Sequence, residues 1–308
     1  MTRKILVKMV GCVAVLAILF AALPARAAVV SISGAAKTDD TFITDIPGQE
    51  DYNFGGSSFI EVGDISDDPE PAARDDRYGL VKWDLSAVSA LAGPGQKIDV
   101  QSATVTMYYT GTGGPDMIVN LYFITAANSD WVEGTGNGAT AIQNVEPTWR
   151  YKKHKLMPWA SGQDGLKGAG IDYDYDPNDP NTPEIDCSGN DQNGQTFNQT
   201  VSILAPKVES WVNVPATNAG LLLKQKTSAD SKVKFASSNN ANLGQVPVLT
   251  ITYSIVPIVC GDPGTGQLEA DLSGPGGDPD CKVDRYDLAA FVSEWLDCSN
   301  PNDARCNQ

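Results

Sequence analysis

The sequence has a single histidine, His154, and few positive charges. Its 308 residues include 22 Lys and Arg against 38 Asp and Glu, a formal net charge of −16. Nucleic-acid binding needs a cationic surface, so this composition argues against it. His154 lies in the basic run RYKKHK and is predicted to be solvated, although any Ser-His-Asp or Cys-His site would have to include it. Carboxylate pairs arise by chance among so many acids, which leaves a polysaccharide-cleaving enzyme as a less favoured alternative.

Long hydrophobic runs are also scarce. One apolar run covers residues 9–23, with basic residues before it and the triplet Ala-Arg-Ala at 25–27. This order is typical of a secretory signal peptide, whereas a transmembrane anchor is disfavoured because the run is short and no second one follows. We therefore predict a signal peptide at residues 1–27 and a protein that is secreted or held at the cell surface. Removal of this signal peptide takes away four basic residues and no acidic ones. The mature chain is therefore predicted to have a net charge of −20 and no transmembrane anchor.

Cysteines are few and unevenly placed. Five of the six lie beyond residue 27, and four of these fall in the C-terminal segment: Cys260, Cys281, Cys298 and Cys306. In an exported chain this density indicates disulfides that hold together a segment too small to form its own core. The sequence does not fix the pairing. Our working hypothesis joins Cys298 to Cys306 and Cys260 to Cys281, and leaves Cys187 odd.

From residue 28 to residue 257 the sequence alternates between apolar and polar residues in short runs. In SATVTMYYT, the side chains of Ala103, Val105, Met107 and Tyr109 fall on one face, which indicates a half-buried strand. The same period recurs at 59–64, 78–86, 117–125, 219–226, 232–237 and 247–253. Only 204–212 has helical spacing. Many short strands and little helix predict an all-β fold, a β-sandwich over residues 28–257.

The body also resembles a known family. The ordered stretches TDDTFITDI, NFGGSSFIEVGD, RYGLVKWDLS, SATVTMYYTG, DWVEG, VESWVN, AGLLLK, FASSNN and VPVLTITY are similar to those of the DNRLRE-type carbohydrate-binding domain, which has alginate-binding members. The resemblance covers about residues 37–254 and is interrupted by a polar insertion at 160–199. It implies a jelly-roll-like sandwich that binds polysaccharide, including acidic glycans such as alginate, and is not an enzyme.

Aromatic rings that cover the apolar face of a sugar, next to polar side chains that orient it, are typical of glycan sites. The sequence concentrates both between Trp131 and Trp159. The predicted carbohydrate-binding residues are Trp149, Tyr151, Lys152, Lys153 and Trp159. A basic stretch in so acidic a chain is where an acidic polysaccharide would bind. Burial of the tryptophans in the core, with the lysines as an ordinary solvated face, is the alternative, and for Trp131 it has equal weight.

The insertion contains acids at near-alternate positions, in GIDYDYDPNDP. Carboxylates spaced in this way in a loop can surround Ca²⁺, which takes six to eight oxygen ligands. The candidate ligands of this second, weaker calcium site are Asp172, Asp174, Asp176 and Asp179. An exposed loop has the same composition, so an ordinary loop is the alternative.

Composition changes after Pro257, and residues 258–308 are predicted to form a separate cysteine-rich tail. The tail has the ligand spacing of an EF-hand-like loop if residues 275–279 are treated as an insertion. Its predicted calcium ligands are Asp271, Ser273, Asp280, Lys282 (through its carbonyl), Asp284 and Asp287. An apolar stripe then follows at helical spacing: Leu288, Phe291, Val292, Trp295 and Leu296.

The tail, in DCKVDRYDLAAFVSEWLDC, resembles a dockerin-type calcium module, which implies a cohesin-like protein or a cell-surface component as partner. It departs from that pattern in three places. Asp287 replaces the usual Glu, Cys281 replaces the usual Gly, and a single repeat is present. The sequence thus predicts a secreted, non-catalytic polysaccharide-binding protein with calcium as cofactor. The alternative is a structural or adhesive extracellular protein with a calcium-stabilised tail.

Overall fold

The computed structural model describes residues 27–64, 75–111, 117–140, 145–175, 181–187, 197–226, 231–258 and 285–297. In these ranges the strands are β1 Ala28–Ser33, β2 Thr38–Thr44, β3 Tyr52–Asn53, β4 Phe59–Asp64, β5 Asp76–Trp83, β6 Gln96–Gly111, β7 Ile118–Phe123, β8 Ala139–Thr140, β9 Tyr151–Lys153, β10 Met157–Pro158, β11 Glu184–Asp186, β12 Phe197–Ile203, β13 Leu221–Gln225, β14 Ser231–Ala236 and β15 Val248–Pro257. The α-helices are α1 Ser86–Ser89, α2 Ala205–Asn213 and α3 Arg285–Asp297. The proposed signal peptide lies outside the described residues.

The alternating runs form strands as predicted. β4 has the predicted bounds, and β5, β6, β7, β13, β14 and β15 cover the other runs to within a few residues at most ends. Side chains on the inward face of β6 are almost fully buried, as their spacing requires: Ala103, Val105, Met107 and Tyr109. The helical spacing at 204–212 becomes α2, which buries Val208, Trp211 and Val212.

Eleven strands form one antiparallel sheet, in the order β1-β15-β6-β14-β4-β5-β13-β7-β11, with β12 paired to β6 and β2 paired to β5. Inward side chains of β6 and β15 share one hydrophobic core with those of β5, β7 and β13. The sheet therefore folds over into the two layers of a β-sandwich, which confirms the predicted fold class.

A second core covers the outer face of the layer formed by β2, β5, β13 and β7. The strands contribute Ile43, Tyr78, Leu80 and Leu222. The long connection between β7 and β11 contributes Ile124, Trp131, Trp149, Trp159, Leu166 and Tyr173. Ala219, just before β13, completes the cluster. The described part of the polar insertion thus contributes Leu166 and Tyr173 to a core that packs onto the sandwich.

Beyond the sandwich, the structure describes α3 alone. This helix confirms the helical spacing that follows the proposed calcium loop, and its described stripe residues Leu288, Phe291 and Val292 are exposed. Among the described residues, no helix is long and apolar enough to cross a membrane.

Candidate functional site

The structure places the predicted sugar-binding tryptophans in the second core. Trp149 is 3% exposed and Trp159 is 1% exposed. The Trp159 indole donates hydrogen bonds to the carbonyls of Thr148 (3.2 Å) and Trp149 (3.0 Å). Neither ring is available to stack on a sugar, so this part of the predicted site is wrong. Trp131 is fully buried as well, which favours its alternative role in the core.

Two lysines of the predicted basic stretch share one acidic partner. Lys152 and Lys153 both pair with Asp130, at 2.9 Å and 2.7 Å. Tyr151 is half-buried and stacks on His154, which is only 3% exposed. The prediction that His154 is solvated is therefore wrong: the chain folds this basic run back against the sandwich, where the imidazole packs under Tyr151.

The two described aspartates of the insertion have different partners. Asp172 is fully buried, and its carboxylate accepts hydrogen bonds from the Ser161 N–H (2.8 Å), the Ser161 hydroxyl (2.5 Å), the Gly168 N–H (2.9 Å) and the Asn128 amide (3.3 Å). Its oxygens are thus already used by donors, which gives Asp172 the role of a loop anchor instead of the predicted calcium ligand. Asp174 pairs with Lys207. Asp176 and Asp179 lie outside the described residues.

We expect Asp172→Asn to lower the free energy of unfolding by about 2 kcal/mol, because hydrogen bonds to a buried carboxylate contribute more than neutral ones. Chemical denaturation of the mature chain measures this loss. Asp174→Asn is the matched control, since Asp174 is half-exposed and its ion pair contributes little. Equal stability of the two variants would contradict the anchoring role.

Of the predicted tail site, the structure describes Asp287. Asp287 lies in the first turn of α3 and is 3% exposed. The other predicted ligands, Asp271, Ser273, Asp280, Lys282 and Asp284, lie outside the described residues, as do Cys260, Cys281, Cys298 and Cys306. Cys187 is a free, buried thiol, and burial raises its pKa to about 12.

Four tyrosines and a lysine gather instead on the outer face of the sandwich, at the edge of the second core, to which Tyr78 and Tyr173 belong. We call this set the tyrosine patch: Tyr78, Tyr122, Tyr173, Tyr175 and Lys224. The Tyr122 ring lies 5.0 Å from the Tyr173 ring and 5.8 Å from the Tyr175 ring, between centroids. Tyr122 is half-buried and Tyr175 is 44% exposed, so both rings are accessible to a ligand.

Lys224 supplies the patch with a positive charge. Its Nζ lies 4.7 Å from the centroid of the Tyr78 ring and 5.8 Å from that of Tyr173. Within the described ranges it has no ion pair, unlike Lys167, which lies near Asp45 and Asp76. Burial lowers the pKa of Lys224, an effect that Asp76 opposes. An anionic ligand would stabilise this ammonium.

Asn120 adds a polar group to the patch. It faces Lys224 across the β7–β13 pairing and donates a hydrogen bond to the Tyr122 hydroxyl at 2.7 Å. Its Oδ1 is buried and has no hydrogen-bond partner among the described residues. Burial raises the pKa of Tyr122, and that of Tyr173 to about 12, so both phenols remain protonated donors near neutral pH.

Two members of the patch, Tyr122 and Tyr175, line a surface cavity of about 290 Å³. Its lining also includes Thr182, Pro183, Leu204 and Asp174, whose carboxylate pairs with Lys207. Flat rings, a proline and a threonine hydroxyl are the groups that contact a sugar ring. A volume near 300 Å³ is at the lower end of small-ligand sites, so the cavity suits one unit of a longer chain.

A cavity of about 300 Å³ at the β2–β5 end of the sandwich is electrostatically different. Its charged lining residues form two ion pairs, Lys37 with Asp84 at 2.7 Å and Lys82 with Asp39 at 3.3 Å. These charges already have partners within the protein, whereas Lys224 forms no ion pair with any described residue. The tyrosine patch is therefore the better candidate for an acidic ligand.

Sequence proximity did not reveal this patch. Its members come from β5, β7, β13 and the insertion, and meet only because β13 lies between β5 and β7. The one local indication of the patch was the pair of tyrosines that alternate with aspartates in DYDYD. The alternating aspartates of this stretch had instead suggested a calcium-binding loop.

Comparison with known proteins assigns neither a family nor a function to this chain. Neither a scan against protein-family models nor a search of curated proteins finds a match to this chain. The function is argued from the residues.

Proposed function

We propose that this protein is a secreted, non-catalytic polysaccharide-binding protein that binds acidic glycans such as alginate at the tyrosine patch. The observation that carries the proposal is the Lys224 ammonium, which lies over the Tyr78 and Tyr173 rings and has no ion pair within the described ranges, near a cavity lined by Tyr122 and Tyr175. The rings would cover the apolar face of a sugar, and Lys224 would pair with a uronate carboxylate. The DNRLRE-type resemblance supports the same class of ligand.

The geometry of the acids supports a binding role without catalysis. A glycosidase needs two carboxyl groups that both reach the scissile bond. The pair whose pKa values are raised most clearly is Asp40 and Glu133, and Asp40 is only 1% exposed. A polysaccharide could not contact that carboxyl group without opening the sandwich.

We further propose that the tail is a dockerin-like calcium-binding segment that attaches the protein to a cohesin-like partner or to the cell surface. Its support is the sequence of the proposed loop and the helix α3 that follows it. A structural or adhesive role remains the alternative, and it predicts association with the cell wall of the producing cell and no glycan binding.

Lys224→Met and Tyr175→Ala are expected to weaken binding to alginate oligosaccharides about tenfold each, since a charge-assisted contact contributes about 1.5–3 kcal/mol. Isothermal titration calorimetry of the mature chain measures this, with neutral glucans and release of new sugar ends followed in parallel. Lys153→Met is the matched control, because Lys153 is already paired with Asp130. It should leave the affinity unchanged.

Three outcomes would contradict the proposal. If Lys153→Met weakens binding and Lys224→Met does not, the site lies on the basic stretch after all. If the parent binds no glycan, the structural alternative holds. Product release would instead reveal a cleaving enzyme.

A further inference from the structure

A second cluster of polar groups lies at another end of the sandwich, away from the tyrosine patch. Asp40 of β2 accepts a hydrogen bond from the Ser238 N–H at 2.6 Å. The Ser238 hydroxyl lies 3.5 Å from Oε1 of Glu133, which also accepts from the Asn239 amide at 2.7 Å. Ser238 therefore links two carboxylates that belong to segments far apart in sequence.

Among the described residues, no positive charge compensates these two carboxylates. Neither Asp40 nor Glu133 forms an ion pair with any described residue, and Oδ1 of Asp40 is buried with no hydrogen-bond partner. Lys82 pairs with Asp39 instead. Asp39 and Asp40 point to opposite faces of β2 because side chains alternate along a strand. A buried carboxylate must be paired, bound to a metal or protonated.

The loop that carries Glu133 is held in place before any ligand binds. The Asn53 amide donates to the carbonyls of Glu133 (3.0 Å) and Pro147 (3.1 Å), and Asn53 Oδ1 accepts from the Gly136 N–H (2.8 Å). Gly134 has φ of +83°, and a Cβ there would lie 2.6 Å from Asn53 Oδ1. The position of Glu133 is thus fixed by its surroundings, as a binding site requires.

We propose that Asp40 and Glu133 hold a divalent cation, Ca²⁺, in the sandwich itself, at a site separate from the tail. Ca²⁺ prefers oxygen ligands, and this cluster offers Asp40 Oδ1, the Glu133 carboxylate and the Ser238 hydroxyl. No group of three His, Cys, Asp or Glu side chains in the described ranges is arranged to hold a metal. Water and backbone carbonyls would therefore complete the coordination.

Such a cation would join three segments of the chain. β2 contributes Asp40, the connection between β7 and β8 contributes Glu133, and the turn after β14 contributes Ser238. It would neutralise the charge that burial leaves uncompensated. The inference is independent of glycan binding, because none of these residues belongs to the tyrosine patch.

The test is calcium titration by calorimetry of the full mature chain, after removal of bound metal with a chelator. Asp284→Asn serves as background, because it disables the proposed tail loop and leaves the sandwich site. In that background we expect Asp40→Asn and Glu133→Gln to abolish calcium uptake or to weaken it at least tenfold. Asp84→Asn is the control, since Asp84 is exposed and paired with Lys37; it should bind as the background does.

The two test substitutions keep the size of each side chain, and circular dichroism would confirm that each variant folds. The proposal is overturned if Asp284→Asn alone takes up no calcium, which would mean that a proton neutralises the pair. It is also overturned if Asp40→Asn and Glu133→Gln bind calcium as the background does.

Discussion

Trp159→Ala is expected to lower the free energy of unfolding by about 3–5 kcal/mol, the usual cost of removing a buried aromatic side chain. Trp159 is 1% exposed, packs in the second core and donates two hydrogen bonds to backbone carbonyls. The substitution leaves a cavity and also removes the donor that those carbonyls share. Urea denaturation followed by circular dichroism measures the loss.

Tyr175→Ala is the matched control, because Tyr175 is 44% exposed. Its free energy of unfolding should stay within about 0.5 kcal/mol of the parent, as for most surface substitutions. The two variants thus separate stability from binding: Tyr175→Ala should reduce glycan affinity without unfolding the chain. If Trp159→Ala instead keeps the parent stability and loses glycan binding, Trp159 belongs to the binding face.

In the presence of a chelator, the folded state is expected to lose stability as the pH rises from about 4.5 to 8. Burial raises the pKa of Asp40 from 3.8 to about 7, and that of Glu133 from 4.5 to about 8. Between the unfolded and folded pKa values the folded chain binds more protons than the unfolded chain. The contribution of these two groups to the free energy of unfolding is therefore present at low pH, and it is lost as the pH rises through 7 and 8.

Asp40→Asn removes the buried charge, so it should reduce this pH dependence and raise the free energy of unfolding at pH 8 by about 3 kcal/mol. Urea denaturation at pH 4.5, 6 and 8 measures both effects. Asp84→Asn is the control, because the hydrogen bond from Lys37 and those from Ser86 lower the pKa of Asp84 to about 2, below this window. A parent whose stability is unchanged between pH 4.5 and 8 would contradict the prediction.

Local sequence patterns predicted the elements of the fold because a strand or a helix imposes its own period on neighbouring residues. The alternation in β6 identified its buried face, and the spacing of Val208, Trp211 and Val212 identified α2. The pattern failed just before the insertion, where Trp149 and Trp159 flank the basic run and show no period. Nothing local distinguishes a tryptophan that packs under a loop from one that faces a sugar.

The sequence by itself determined the acidic charge, the alternating strands and therefore the β-sandwich, since these depend on composition and on residues close together in the chain. Only the tertiary structure decided which charges are neutralised. It paired Lys152 and Lys153 with Asp130, gave Lys224 no ion pair among the described residues, and connected Glu133 to Asp40 through Ser238. The physical reason is that burial and ion pairing act between strands and loops that pack together, whatever their separation in sequence.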